Sequence, residues 1–202
     1  MILYCATSNL HKLREFQHAA DELAPGYFQI SAMPGLHEIP VAPETGDTFE
    51  ANAVEKALYY SRRTQEAVFA DDSGLAVAAL DGAPGVHSAR YAGPSANDKA
   101  NNRLLLQNMN GVTNRAAQFI CVIALVKQNA VIQTFRGAVQ GEILHEERGA
   151  NGFGYDPLFF HAPFGCTFGE ATAQQKLAVS HRGQAFVAMI DYLQQTIGAL
   201  KK

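Results

Sequence analysis

Residues 2–6 form a short apolar run that stops at Thr7-Ser8-Asn9, and behind that stop Leu13, Phe16, Ala20 and Leu23 recur at helical spacing. Ser, Thr and Asn are favoured helix N-caps because their side-chain oxygens accept from backbone N–H groups that the first turn leaves unpaired. The chain therefore opens as strand, turn and helix. Pro25-Gly26 ends that helix, and residues 34–48, with Pro34, Gly35, Pro40, Pro43 and Gly46, read as loop. A second helix is expected from Asp47 or Thr48 to about residue 63, with Phe49, Ala53, Ala57 and Tyr60 inward.

Residues 67–70 read as a strand ending in Asp71-Asp72-Ser73-Gly74, and 75–80 as another, before a glycine- and proline-rich loop over 81–93. Residues 97–109 read as a helix. Strands over 118–127 and 131–139 form a hairpin across Gln128-Asn129, with a further strand near 142–145 and a short one over 158–161. The last helix starts after Ser180-His181-Arg182, with Phe186, Ile190, Leu193 and Ile197 on one face. This mixture predicts an α/β or α+β fold with a mixed sheet in one domain.

Composition removes several classes of function. Sixteen Lys and Arg against nineteen Asp and Glu give a net charge of −3, which argues against binding long nucleic acid through an overall field. The longest apolar run, residues 119–126, is far short of the ~20 residues that span a bilayer as a helix. No basic stretch followed by an apolar one opens the chain, so no export signal is expected. Cys5, Cys121 and Cys166 fit neither a disulfide framework nor a paired zinc motif, and read as reduced, largely buried thiols of a cytoplasmic protein.

None of the seventeen glycines precedes a lysine, which excludes a Walker-type phosphate loop, and no serine lies in a nucleophile elbow. His37-Glu38 and His145-Glu146 lack the second histidine of a helical zinc site. Four groups remain. Thr7-Ser8-Asn9-Leu10-His11-Lys12, between a strand end and a helix start, is either an ordinary capped helix or a phosphate cradle. Asp71-Asp72-Ser73-Gly74 is either a solvated turn or a pair of carboxylates that hold Mg²⁺ or polarise a water. Adjacent carboxylates on a strand point to opposite faces, so sharing one site requires a turn, which Gly74 permits. Gly152-Phe153-Gly154-Tyr155-Asp156-Pro157 is either an aromatic-anchored turn or a stacking platform for a flat ligand, with Asp156 reading an edge N–H. Lys176, followed by Ser180-His181-Arg182, offers donors for an anionic or carbonyl oxygen. Together the four suggest a nucleoside-phosphate site.

The whole chain then resembles a known family, the inosine triphosphate pyrophosphatases that remove non-standard purine nucleoside triphosphates. The likeness rests on the segment from Ala6 to Lys12 with Glu15 behind it, on Glu44-Thr45-Gly46 with Asn52 and Lys56, and on Ala70-Asp71-Asp72-Ser73-Gly74-Leu75. Gly82 to Tyr91, Gly152 to Pro157 and Ser180-His181-Arg182-Gly183 follow in the same order; His87 stands where many members carry Tyr. The resemblance implies a two-lobed α/β fold with a long mixed sheet, an active-site cleft between the lobes, and a homodimer. It implies hydrolysis of ITP, dITP, XTP or dXTP to the monophosphate and pyrophosphate, with Mg²⁺. Asp72 would accept a proton and bind metal, with Glu44 as second metal ligand. Thr7, Ser8, Asn9, Leu10, His11, Lys12, Ser73 and Lys176 would bind chiefly the phosphates. Phe153, Gly154, Tyr155, Asp156, His181 and Arg182 would hold the base.

Overall fold

The computed structural model describes residues 1–200, and side chains through residue 196. A seven-stranded sheet has the order β2-β1-β3-β4-β5-β6-β7. Its strands are β1 (Ile2–Cys5), β2 (Gln29–Ala32), β3 (Val68–Val77), β4 (Ala116–Lys127), β5 (Ala130–Ile143), β6 (Phe159–His161) and β7 (Cys166–Thr167). Strand β1 pairs in parallel with β2 and β3, whereas β5–β6 and β6–β7 are antiparallel, so the sheet is mixed. The helices are α1 (Leu10–Leu23), α2 (Phe49–Ser61), α3 (Asp98–Asn108), α4 (Ala173–Val179) and α5 (His181–Leu200). Among the described residues no helix is long and apolar enough to cross a membrane.

The chain forms two compact units. The first takes Met1–Asp72, Cys121–Gly137 and the residues from His181 onward; the second takes Ser73–Ile120 and Ala138–Ser180. In the first, Ala53, Ala57, Val68, Ala70, Val122, Ala124 and Val126 form one apolar cluster. Phe16 on α1 meets Phe69 of β3 edge-on at 5.2 Å and lies 5.4 Å from Phe186 on α5, which fixes both helices there. In the second, Leu75, Leu105, Met109, Phe119, Val139, Phe159 and Phe168 close around an aromatic centre, with Phe119 and Phe159 centroids 4.5 Å apart.

Several expectations hold closely. Helices α2 and α3 start where expected, with Thr48 and Asn97 as their caps, each accepting from a backbone N–H of the first turn. Gln128 and Asn129, both at positive φ, turn β4 into β5 as the hairpin required. Phe186, Ile190 and Leu193 are buried on α5, while the Ile197 side chain lies outside the described residues. Others change. Leu23 is exposed and Ala19 takes its place inside, because the buried stripe of α1 runs through Leu13, Phe16, Ala19 and Ala20. The separate strand near 142–145 is the end of β5, which continues unbroken to Ile143, and β2, β7 and α4 are additional elements. Of the cysteines, Cys5 and Cys121 are buried and Cys166 is partly exposed.

The largest change concerns β3. The strand does not stop at Ala70 to turn at Gly74; it runs straight through Asp71-Asp72-Ser73-Gly74 to Val77, and Ala78–Leu80 is a turn of 3-10 helix. Gly74 serves close approach instead of a turn. A Cβ there would lie 2.3 Å from Ser88 Oγ and 2.5 Å from the Gly85 carbonyl oxygen. Ser88 Oγ uses that space to accept from the Leu75 N–H at 2.9 Å and to donate to Gly85 O at 2.6 Å.

Candidate active site

In the first unit, β1 ends against α1, whose N-cap is Asn9. Its carboxamide oxygen accepts from the N–H groups of His11 at 2.9 Å and Lys12 at 3.2 Å, and Thr7 Oγ1 accepts from the Asn9 N–H. This stretch is thus a self-capped helix start that leaves Ser8, Leu10 and His11 exposed. It also aims Lys12 inward, where Nζ donates to Asp71 Oδ2 at 2.8 Å.

Because β3 is continuous, its two acids take different lysines. Lys12 holds Asp71. Lys56, on α2, reaches Asp72 Oδ1 at 3.1 Å and Glu44 Oε1 at 3.0 Å with the same ammonium. Asn52, one turn earlier on α2 and fully buried, donates to Asp72 Oδ2 at 3.1 Å. Both oxygens of Asp72 are therefore engaged by one helix face, the i and i+4 positions of α2. The loop that carries Glu44 is tied to the same helix, since Gly46 N–H donates to Asn52 Oδ1 at 2.8 Å and Thr45 N–H to Glu55 Oε2 at 3.1 Å.

Burial and charge act differently on the neighbouring acids. Burial raises the Asp72 carboxyl above the ordinary aspartate value, although Lys56, Lys12 and Asn52 oppose the shift. Burial would raise Asp71 as well, but Lys12, Lys56 and Arg182 together hold it below that value. Lys56 is itself pushed upward, because Asp72, Asp71 and Glu44 outweigh its own burial. Arg182 Nε donates to Glu15, and Arg182 Nη1 lies 3.0 Å from His181 Nε2. A guanidinium has no acceptor, so His181 Nε2 receives that bond and the ring proton sits on Nδ1.

The donor set suits a hard divalent cation. Two carboxylate oxygens that already share one ammonium can be shared by a small cation, which takes its remaining ligands from water and phosphate. Among the described residues no group of three or more His, Cys, Asp or Glu converges as a protein-only metal cage.

In the second unit, Asp156 does not face outward as an edge reader. It is 1% exposed, and its Oδ2 accepts from Lys176 Nζ at 2.6 Å and from the Phe153 N–H at 2.8 Å. Gly152, at φ 72°, is required beside it, since a Cβ there would lie 2.0 Å from that same oxygen. Lys176 Nζ also stands 5.1 Å from the Phe153 ring centroid, so the ammonium and the carboxylate together fix this half-buried ring. Gly154 is held by its N–H to Asp98 and by its carbonyl from Asn102, at 2.7 and 3.2 Å. Tyr155 turns into the core, with its hydroxyl donating to Ser88 O at 2.8 Å. Ser73 is partly exposed on β3.

The structure thus brings Lys12, Glu44, Asp71, Asp72, His181 and Arg182 into the first unit, and Ser73, Phe153, Gly154, Tyr155, Asp156 and Lys176 into the second. The sequence did not mark Asp98 and Asn102 as supports of the glycine-rich loop, because nothing local links residues 52 to 56 positions apart.

The Ham1 family model matches residues 3–192. The chain belongs to the Ham1 family. A dITP/XTP pyrophosphatase of Exiguobacterium sp. is 46% identical over 92% of this chain and 93% of its own length. The dITP/XTP pyrophosphatase of Geobacter sulfurreducens is 45% identical over 95% and 96%. The solved Staphylococcus aureus Ham1 protein superposes with a TM-score of 0.85 at 35% identity, covering 97% of this chain and 100% of that one. The Coxiella burnetii HAM1 protein gives 0.85 at 38% identity, covering 96% and 99%. The α/β fold with a mixed sheet expected from the sequence is therefore the fold of this chain.

Proposed function

We propose that this Ham1-family chain hydrolyses non-standard purine nucleoside triphosphates, ITP, dITP, XTP and dXTP, to the monophosphate and pyrophosphate. The observation that carries the proposal is the pairing of Glu44 and Asp72 on one Lys56 ammonium, beside a second lysine–aspartate pair, in a chain 46% identical to a dITP/XTP pyrophosphatase.

Asp72 is the proton acceptor for the attacking water. A buried carboxylate whose proton affinity is raised is a better base near neutral pH than an exposed one. Glu44 and Asp72 would hold the divalent cation, Mg²⁺, and charge neutralisation of the triphosphate is the chemistry that cation supplies when bound. Lys12 and Lys56 are already paired with Asp71, Asp72 and Glu44, with one carboxylate in excess, so the lysines exchange ion partners when polyanion and cation arrive.

Thr7, Ser8, Asn9, Leu10, His11, Lys12 and Ser73 bind the substrate, chiefly its phosphates, and Lys176 serves the site through the Phe153 loop that it clamps. Phe153 and Gly154 with His181 and Arg182 hold the base, and Tyr155 and Asp156 anchor the loop that presents Phe153. Phe153 stacks on a purine face, while Asp156 and Lys176 keep its ring in place. The Nδ1–H of His181 and the Arg182 guanidinium are donors of the type that a 6-oxo purine accepts and adenine, with its 6-amino group, does not. Buried donors left unpaired cost ~1–3 kcal/mol each, which sets the direction of selection. The same family resemblance supports one two-lobed domain over residues 1–202, a homodimer and a cytoplasmic location.

Incubation of the purified protein with a panel of nucleoside triphosphates and Mg²⁺, followed by product separation, tests this. IMP and pyrophosphate from ITP are expected. Release of orthophosphate, or no product from any triphosphate, overturns the proposal.

A further inference from the structure

The Asn52 carboxamide touches both the Asp72 carboxylate and the backbone of the loop carrying Glu44. It is wholly buried on α2. Its Nδ2 donates to Asp72 Oδ2 at 3.1 Å, and its Oδ1 accepts from the Gly46 N–H at 2.8 Å. A backbone N–H can only donate, so the oxygen must face Gly46 and the amino group must face Asp72; the orientation is determined by chemistry.

The approach of the loop to Asn52 is unusually close. A Cβ at Gly46 would lie 2.6 Å from Ala51 Cβ and 2.9 Å from Asn52 Oδ1, so no larger residue fits there unshifted. Two residues earlier in the same loop, Glu44 meets Lys56, which is one helical turn beyond Asn52 and holds the other oxygen of Asp72. Asn52 and Lys56 together stop the Asp72 carboxylate from rotating, and Asn52 links it to the backbone of the Glu44 loop.

We propose that Asn52 is a positioning residue that sets the spacing of the Glu44 and Asp72 carboxylates for a divalent cation, by bridging the Gly46 backbone to Asp72. This rests on the reading of Glu44 and Asp72 as the cation's carboxylate ligands. Groups that orient metal-ligating carboxylates typically cost ~10–100-fold in metal affinity or activity when replaced.

Two variants separate the links. Asn52→Leu keeps the volume and removes both hydrogen bonds. Gly46→Ala keeps the Asn52 carboxamide and displaces the loop from it. The probe is Mn²⁺ alone, titrated against the full-length protein and followed by electron paramagnetic resonance, with circular dichroism and thermal unfolding to establish that each variant is folded. Half-saturating Mg²⁺ for triphosphate hydrolysis is measured beside it.

Expected are a fall of roughly tenfold or more in Mn²⁺ affinity for both variants and a matching rise in half-saturating Mg²⁺. A kcat recovered substantially at saturating metal would separate positioning from a direct chemical role. Unchanged Mn²⁺ affinity in a folded Asn52→Leu or Gly46→Ala protein overturns the proposal, as does a parent that binds no Mn²⁺. A parent that binds Mn²⁺ in an Asn52-dependent way but hydrolyses no triphosphate overturns the assigned activity and leaves the positioning role standing.

Discussion

Lys176 and Asp156 form an ion pair 2.6 Å long, with the lysine side chain 7% and the aspartate side chain 2% exposed. At that burial the pair is a structural clamp on the glycine-rich loop, because Asp156 also accepts from the Phe153 backbone and Lys176 stands over the Phe153 ring.

Asp156→Ala is therefore expected to destabilise the protein severely, by about 3–5 kcal/mol, since it leaves a buried ammonium uncompensated. Chemical denaturation of parent and variant measures it. A loss under 1 kcal/mol would mean that Lys176 relaxes to water and that the clamp is weak.

Asp72→Asn preserves shape and removes both charge and basicity. A positioned general base contributes typically ~10²–10⁴-fold, so kcat should fall by at least about a hundredfold with circular dichroism unchanged. Excess EDTA should likewise stop turnover without unfolding, and Mn²⁺ should restore part of it. Turnover of the Asn variant within a few-fold of the parent would remove Asp72 from the role of base.

The two neighbouring aspartates should titrate on opposite sides of the ordinary value. In metal-free protein, burial puts Asp72 above it, while Lys12, Lys56 and Arg182 hold Asp71 below it against the same burial. Asp72 thus favours the fold below the ordinary aspartate value, and that contribution is lost as pH rises through its folded value. Asp71 does the reverse: its contribution is present above the ordinary value and lost as pH falls through its depressed one. Carbon-13 NMR of the aspartate carboxyls, with each signal assigned through its Asn variant, measures the order. Coincident midpoints would contradict it.

Gly74→Ala should destabilise the second unit, by roughly 1–3 kcal/mol, because the added methyl meets Ser88 Oγ and a backbone carbonyl that cannot yield like a flexible side chain. Thermal and urea unfolding report the change. An unaltered midpoint would show that the 85–90 segment shifts freely.

His181→Ala and Arg182→Ala should each lower the ratio of kcat/KM for ITP over ATP, because an oxygen-directed donor contributes only when the 6-oxo acceptor is present. Arg182 is held by Glu15 and in turn donates to His181, so its loss also frees the His181 tautomer. Equal losses on both nucleotides would assign the pair to phosphate instead of base.

Local sequence was enough for whatever depends on neighbours in the chain. Asn9, Thr48 and Asn97 cap the helices they precede, and Gln128-Asn129 turns a hairpin, because caps and tight turns are satisfied within a few residues. The ordered acidic, aromatic and cationic groups were legible as candidates for the same reason. What only the tertiary structure decided is which partner each charge takes. Asp71-Asp72-Ser73-Gly74 has the composition of a turn, yet β3 continues through it. Lys12, 59 residues from Asp71, and Lys56, 16 residues from Asp72, supply the cations that let two adjacent carboxylates be buried on a strand. Asp156 likewise became a buried clamp only through Lys176, 20 residues away. A buried charge is tolerable only beside its counter-charge, and that neighbour is chosen by the packing of the whole chain.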